Sequence, residues 1–154
     1  MLNNCEFAQQ RWGGVSGTID KWLKERQQTL VAFCELSEQV NEEDNLEKGD
    51  SLRNMCQLLV DYVSAGHFEV YDRLVKESEQ QGNVGGIAKA RQLFQELGST
   101  TEYVLDFNDK YQEVDDLETL EIDLSQLGEV LANRFDAEDK AIDALHVAQK
   151  EHID

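Results

Sequence analysis

Proline is absent from this 154-residue sequence, so no element is interrupted by a ring that removes a backbone donor. Cysteine is scarce. Cys5, Cys34 and Cys56 are odd in number, widely spaced and without a CxxC pair. That pattern gives neither a disulfide framework nor a zinc site, and it suits a reducing cytoplasm. Positive charge is scarce as well: 14 Lys plus Arg stand against 32 Asp plus Glu, a formal charge of −18. Such a surface repels DNA, RNA and anionic membranes, whose binders need cationic footprints, and it favours a basic protein partner. No apolar run approaches the roughly 18 residues needed to span a bilayer. The first residues, Met1 to Phe7, have neither the positive region nor the apolar core of a signal peptide. Alternating strand patterns, internal repeats and low-complexity segments are missing too.

What is present is helical periodicity. Residues 2–12 place Leu2, Cys5, Ala8 and Trp12 on one face of a short helix that Gly13 and Gly14 end. A longer helix, capped by Ser16 or Thr18, carries Val15, Ile19, Trp22, Leu23, Leu30, Phe33 and Cys34 as its stripe and reaches Val40. Residues 41–50 are turn formers without a period and read as a loop. Ser51 caps the next helix, expected over 51–80, and residues 82–86 break the chain again. A fourth helix carries Ile87, Ala90, Phe94, Leu97, Thr101, Val104 and Tyr111, with Gly98 as a point of breakage or kinking. A last helix over 116–150 carries Leu117, Leu120, Leu124, Leu127, Leu131, Ile142 and Leu145. Long helices joined by short loops pack as antiparallel neighbours. The expected fold is an all-α up-and-down bundle of four long helices plus a short N-terminal one, a single domain over 1–154. A chain of this length buries roughly 70% of its unfolded surface, so it folds without a metal or a disulfide.

Three charges lie on the apolar seams. At 100° per residue, Glu138 sits about −20° from Leu131 and Arg134 about −60°, among leucines of the last helix. Arg26 sits about −40° from Leu30 on the second helix. Unpaired buried charges cost several kcal/mol, so these groups are expected to pair, with Asp139 and His67 close by helical position. Two readings stay open for the cluster Arg26, His67, Arg134, Glu138 and Asp139: a structural network that fixes helix register, or a polar cavity that senses pH or a small ligand.

The stretch LVDYVSAGHFEVYDRLV, residues 59–75, has two faces. With Val63 at zero, Leu52, Cys56, Leu59, Gly66, Val70 and Leu74 fall within about 60°, and His67 at about 40° faces inward. Phe68 falls at about 140°, beside Asp61, Ser64, Asp72 and Val75 on the far side. An aromatic among carboxylates is the pattern of an interaction anchor, where the ring supplies desolvated area and the acids select a cationic partner. The competing reading is a helix buried on both sides. Two acidic runs, 35–50 and 112–143, have two readings: solvated faces, or a further attraction for a basic partner.

Catalytic chemistry finds no support in the sequence. Serine or cysteine nucleophiles lack a patterned base, no glycine-rich loop follows a strand, and His67, His146 and His152 lack the spacing of di-iron bundles. No catalytic residue, metal or cofactor is expected. A histidine phosphotransfer bundle is the rival of similar size and acidity, but its imidazole must be exposed, and His67 points inward by angle.

The stretches QRWGG (10–14), IDKWLKERQ (19–27), LVDYVSAGHFEVYDRLV (59–75), LGEVLANRF (127–135) and AEDKAI (137–142) resemble the Rsd/AlgQ family of bacterial anti-sigma factors, AlgQ-type members especially. The resemblance spans nearly the whole chain. It implies an all-α bundle that binds the housekeeping sigma factor of RNA polymerase, mainly at region 4, and competes with core polymerase and the −35 promoter element. It also implies that Asp61 and Phe68 belong to the sigma-contact surface. Arg26, His67, Arg134 and Glu138 match the family's motif positions without an implied role. No cofactor, nucleic acid or membrane is implied as a partner. The free chain is expected to be a monomer or a weak homodimer.

Overall fold

A computed structural model describes residues 17–41, 45–112 and 117–153, with side chains throughout except at 17, 18, 45, 66–68 and 146–153. The helix expected over 2–12 lies outside the described residues. The first described helix, α1, runs Gly17–Gln39. A long rod follows: α2, Asn45–Ala65, passes into a π-helical segment, Gly66–Tyr71, and then into α3, Asp72–Gln80. α4 spans Val84–Glu96 and α5 Gly98–Tyr111. The chain closes with α6, Leu120–Ile153. Among the described residues there is no strand. α1 packs along α2, α4 along α6, and α5 touches both α2 and α6. The result is the all-α bundle the periodicity predicts, with four rods around one core.

That core is drawn from every rod: Trp22, Leu23, Leu30 and Leu36 of α1, Met55, Leu59 and Tyr62 of α2, Val104 of α5, and Leu127, Leu131 and Phe135 of α6. All the leucines expected on the last helix are buried except Leu117, which is partly buried against the core.

Two local expectations change, and a third, the break at Gly98, is met. The segment 41–50 is not a loop throughout, because α2 already begins at Asn45. In its first turns the apolar Leu52 and Met55 and the stem of Lys48 are buried, while Arg53 donates to Asp50 at 2.6 Å on the surface. Packing of that kind overrides weak local propensity. Val75, expected on the outer face with Phe68, is buried. The π segment is the reason. Bonding from i to i+5 adds one residue to a turn and rotates everything after it by about 100°, which carries Val75 inward. The fourth helix is broken into α4 and α5 at Leu97, next to Gly98. The two pieces stay coupled, since the Leu97 N–H donates to the Leu93 carbonyl and the Thr101 N–H to the Leu97 carbonyl.

The α3–α4 corner is sharp. Gly82 takes a φ of 74°, the left-handed region that glycine enters without strain. Asn83 then caps α4, its Oδ1 accepting from the Gly86 N–H at 3.0 Å while its Nδ2 donates to the Ala144 carbonyl at 3.3 Å. α4 and α6 meet so closely there that a Cβ on Gly86 would lie 2.5 Å from the Ala144 carbonyl oxygen.

Candidate functional site

Two layers meet at the C-terminal half of α2: a buried polar cluster, and above it an exposed strip of carboxylates. The cluster is centred on Glu138 of α6, which is fully buried. Its Oε1 accepts from the Tyr62 hydroxyl at 2.6 Å and from Arg26 Nη2 at 3.4 Å, and its Oε2 accepts from Arg134 Nε at 3.2 Å. Arg26 also donates from Nε to the Tyr62 oxygen at 2.9 Å and from Nη1 to Asp139 Oδ1 at 2.8 Å. Arg134 Nη1 donates to the hydroxyls of Thr100 and Thr101 at 2.9 and 2.7 Å. Side chains from α1, α2, α5 and α6 are thereby joined in one network.

Aromatic rings wall the cluster. Trp22 stacks on Tyr62 with centroids 5.3 Å apart, and Phe135 meets Tyr62 edge-on at 5.7 Å. The Arg26 guanidinium carbon lies 4.9 Å from the Trp22 ring centre and 4.8 Å from that of Phe135. Weakly hydrated guanidinium tolerates such contact, which is why arginine and not lysine suits this position.

The electrostatics follow from the burial. Desolvation opposes the charge on Arg26, but the Tyr62 oxygen and the Glu138 and Asp139 carboxylates outweigh it, and the guanidinium pKa lies above the ordinary value. Burial, reinforced by Glu138, lifts the Tyr62 phenol well above the usual tyrosine range despite Arg26, so the hydroxyl keeps its proton and donates it to Glu138. Burial pushes the Asp139 carboxyl up to about 6 even with Arg26 beside it.

The outer layer is carried by the same rod. Asp61, Ser64, Glu69 and Asp72 are all exposed. Asp61 Oδ1 accepts from Gln57 Nε2 at 3.1 Å, and Glu69 lies 3.9 Å from Lys21 Nζ of α1. Glu25 of α1 faces this strip. Burial raises its pKa, Lys21 offsets part of the rise, and the neighbouring Glu69 and Asp61 add to it. The backbone of His67 and Phe68 lies in the π segment, at the centre of the strip. Their side chains are outside the described residues, and so are the inward and outward directions expected for them.

The structure therefore joins Arg26, Arg134, Glu138 and Asp139 in one cluster and leaves Asp61, Ser64 and Asp72 exposed on one rod. Sequence reasoning did not single out Tyr62, Thr100, Glu25 or Glu69. Thr101 carried a signal, as a hydroxyl on an apolar stripe. Tyr62 carried none, because its partners come from helices whose pairing only the fold reveals.

Other chemistry finds little here. Among the described residues no group of three His, Cys, Asp or Glu is placed to hold a metal. Burial pushes the Cys56 thiol up to about 11, which keeps it un-ionised and unreactive. A cleft of about 260 Å³ lies at the other end of α1, lined by Phe33, Ser37, Val40, Asn41, Glu121, Leu124 and Ser125, with Glu121 as the only charged group among the described residues that line it. No helix among the described residues is long and apolar enough to cross a membrane.

Known proteins resemble this chain along nearly its whole length. The family described as regulator of RNA polymerase sigma(70) subunit, Rsd/AlgQ, matches residues 1–146. A protein named Regulator of sigma D from Yersinia pseudotuberculosis is 36% identical over 148 residues, covering 92% of this chain and 87% of the relative. Its namesake from an Enterobacter species is 37% identical, covering 92% and 88%. A match along nearly the full length, reaching both the buried cluster and the acidic rod, leaves one assignment: the chain belongs to the Rsd/AlgQ family.

Proposed function

We propose that this protein binds the housekeeping sigma factor of RNA polymerase, mainly at region 4, and withholds it from core polymerase and from the −35 promoter element. The observation that carries the reading is the exposed carboxylate strip on the α2–α3 rod, in a chain whose family is described as regulating that subunit. Sigma region 4 holds a helix-turn-helix, which must be basic to grip DNA phosphates. An acidic surface that covers it competes directly with DNA. Asp61, Ser64, Phe68 and Asp72 form the contact in this reading, with Glu69 and Glu25 extending it towards α1. The proposed act is binding alone, in the cytoplasm where the polymerase works, and it calls for no catalysis or cofactor. Direct nucleic-acid contact plays no part, and the free protein is a monomer or weak homodimer.

Titration of purified sigma region 4 with this chain tests the reading. A 1:1 complex that weakens as salt rises is expected, and Phe68→Ala is expected to cost about 2 kcal/mol or more if the ring is an anchor. Absence of a complex at low salt would contradict the function. Full affinity in both Phe68→Ala and Asp61→Ala would remove this face from it.

A further inference from the structure

Tyr62 follows Asp61 on α2, about 100° further round the helix. One of the pair is fully buried and the other exposed. Its ring is held by Trp22 and Phe135, contacts that a phenylalanine would keep. Its hydroxyl does something the ring cannot. It accepts from Arg26 of α1 at 2.9 Å and donates to Glu138 of α6 at 2.6 Å. Apolar packing is non-directional, so stacked rings can slide and roll. Hydrogen bonds lose strength steeply with angle, so two of them to two other helices fix the rotation of α2 about its own axis.

The place of this lock matters. Four residues after Tyr62 the rod leaves α-geometry for the π segment at Gly66, and π segments are rare, single-turn departures from the regular ladder. Asp61 thus lies directly before the lock, and Ser64 lies between the lock and the irregular segment. Replacing buried ionic groups by apolar ones often leaves stability unchanged, and the best-attested use of such groups is to fix register. We propose that the Tyr62 hydroxyl is a positioning group for the acidic face: through Arg26 and Glu138 it sets the direction in which Asp61 projects towards the partner. The inference rests on the sigma-binding reading above and deepens it.

A double-mutant cycle on the full chain tests it, with sigma region 4 as the probe. Circular dichroism first establishes that Tyr62→Phe is folded at the assay temperature. Tyr62→Phe is then expected to bind about tenfold more weakly, the scale of one hydrogen bond to a charged group. Its salt dependence should match wild type, because no surface charge has changed. In combination with Asp61→Ala the effect should disappear, the double variant binding no more weakly than Asp61→Ala alone. Wild-type affinity in Tyr62→Phe, or penalties that simply add in the double variant, would overturn the proposal. Should Tyr62→Phe fail to fold, the hydroxyl holds the fold itself rather than aiming one face, and the proposal is likewise overturned. If wild type itself does not bind region 4, the sigma-binding reading falls and the positioning role falls with it. If wild type binds and the cycle is additive, only the positioning role is lost.

Discussion

Glu138 shows how a charge survives in a core. It is out of contact with water, yet both oxygens are engaged, one by Tyr62 and Arg26 and the other by Arg134. Breaking such a network from one side leaves a buried charge uncompensated. Glu138→Ala is therefore expected to destabilise the fold by about 3–5 kcal/mol, read as a lowered urea midpoint. Asp139 behaves differently because it sits at the edge of the cluster, with 14% of its side chain exposed. Its folded pKa of about 6 lies above the roughly 3.9 of an unfolded aspartate. Proton uptake at this group thus favours the folded state. The contribution is fully present below about pH 4 and is lost as the pH rises through about 6. The charged and titratable groups acting on Asp139 are Arg26 from α1, with Glu138 and Asp136 from its own helix. Asp139→Asn is expected to remove that dependence. The stability difference between wild type and variant, followed by urea denaturation, should shift in favour of wild type as pH falls from 7 to 4. A difference that stays flat across the range would contradict the assignment.

At the scale of elements, the close approach of α4 to α6 depends on Gly86. Gly86→Ala places a methyl against the Ala144 carbonyl and against the Asn83 cap. The expected cost is about 1–3 kcal/mol, visible as a lowered melting temperature, because overpacked backbone contacts relax poorly. α5 is fastened to α6 by a second polar group, Asp123, which accepts from Lys110 Nζ at 2.7 Å, from Thr119 Oγ1 at 3.2 Å and from the Tyr111 hydroxyl. Burial works against the charge there, but these bonds prevail and hold the carboxyl below its ordinary value. The elements also mark what a sequence discloses. Arg26, Arg134 and Glu138 could be placed on seams from spacing alone, since α1 and α6 are uninterrupted and keep phase over many turns. Val75 could not be placed, since nothing in GHFEVY announces a π turn and its phase shift. The start of α2 at Asn45 was hidden for another reason: burial of Lys48, Leu52 and Met55 against the bundle carries turns whose own propensity is poor. Tyr62 and Glu25 stayed invisible as site residues because their roles arise between helices.

For the whole molecule, a charge of −18 acts at a distance. It attracts a cationic partner within about 8 Å at physiological ionic strength and fades as salt is added. Association with a basic partner is expected to slow markedly between low and high salt while dissociation changes less, a split that stopped-flow mixing resolves. In the proposed reading the exposed strip decides where the partner lands, and the buried cluster keeps the rod that bears it in register with α1 and α6. The most direct measurement is a titration of sigma region 4 with wild type and with an Asp61→Ala, Phe68→Ala double variant of confirmed fold. A 1:1 wild-type complex is predicted, with binding weakened about thirtyfold or more in the double variant. Equal affinities, or no wild-type complex at low salt, would contradict the account.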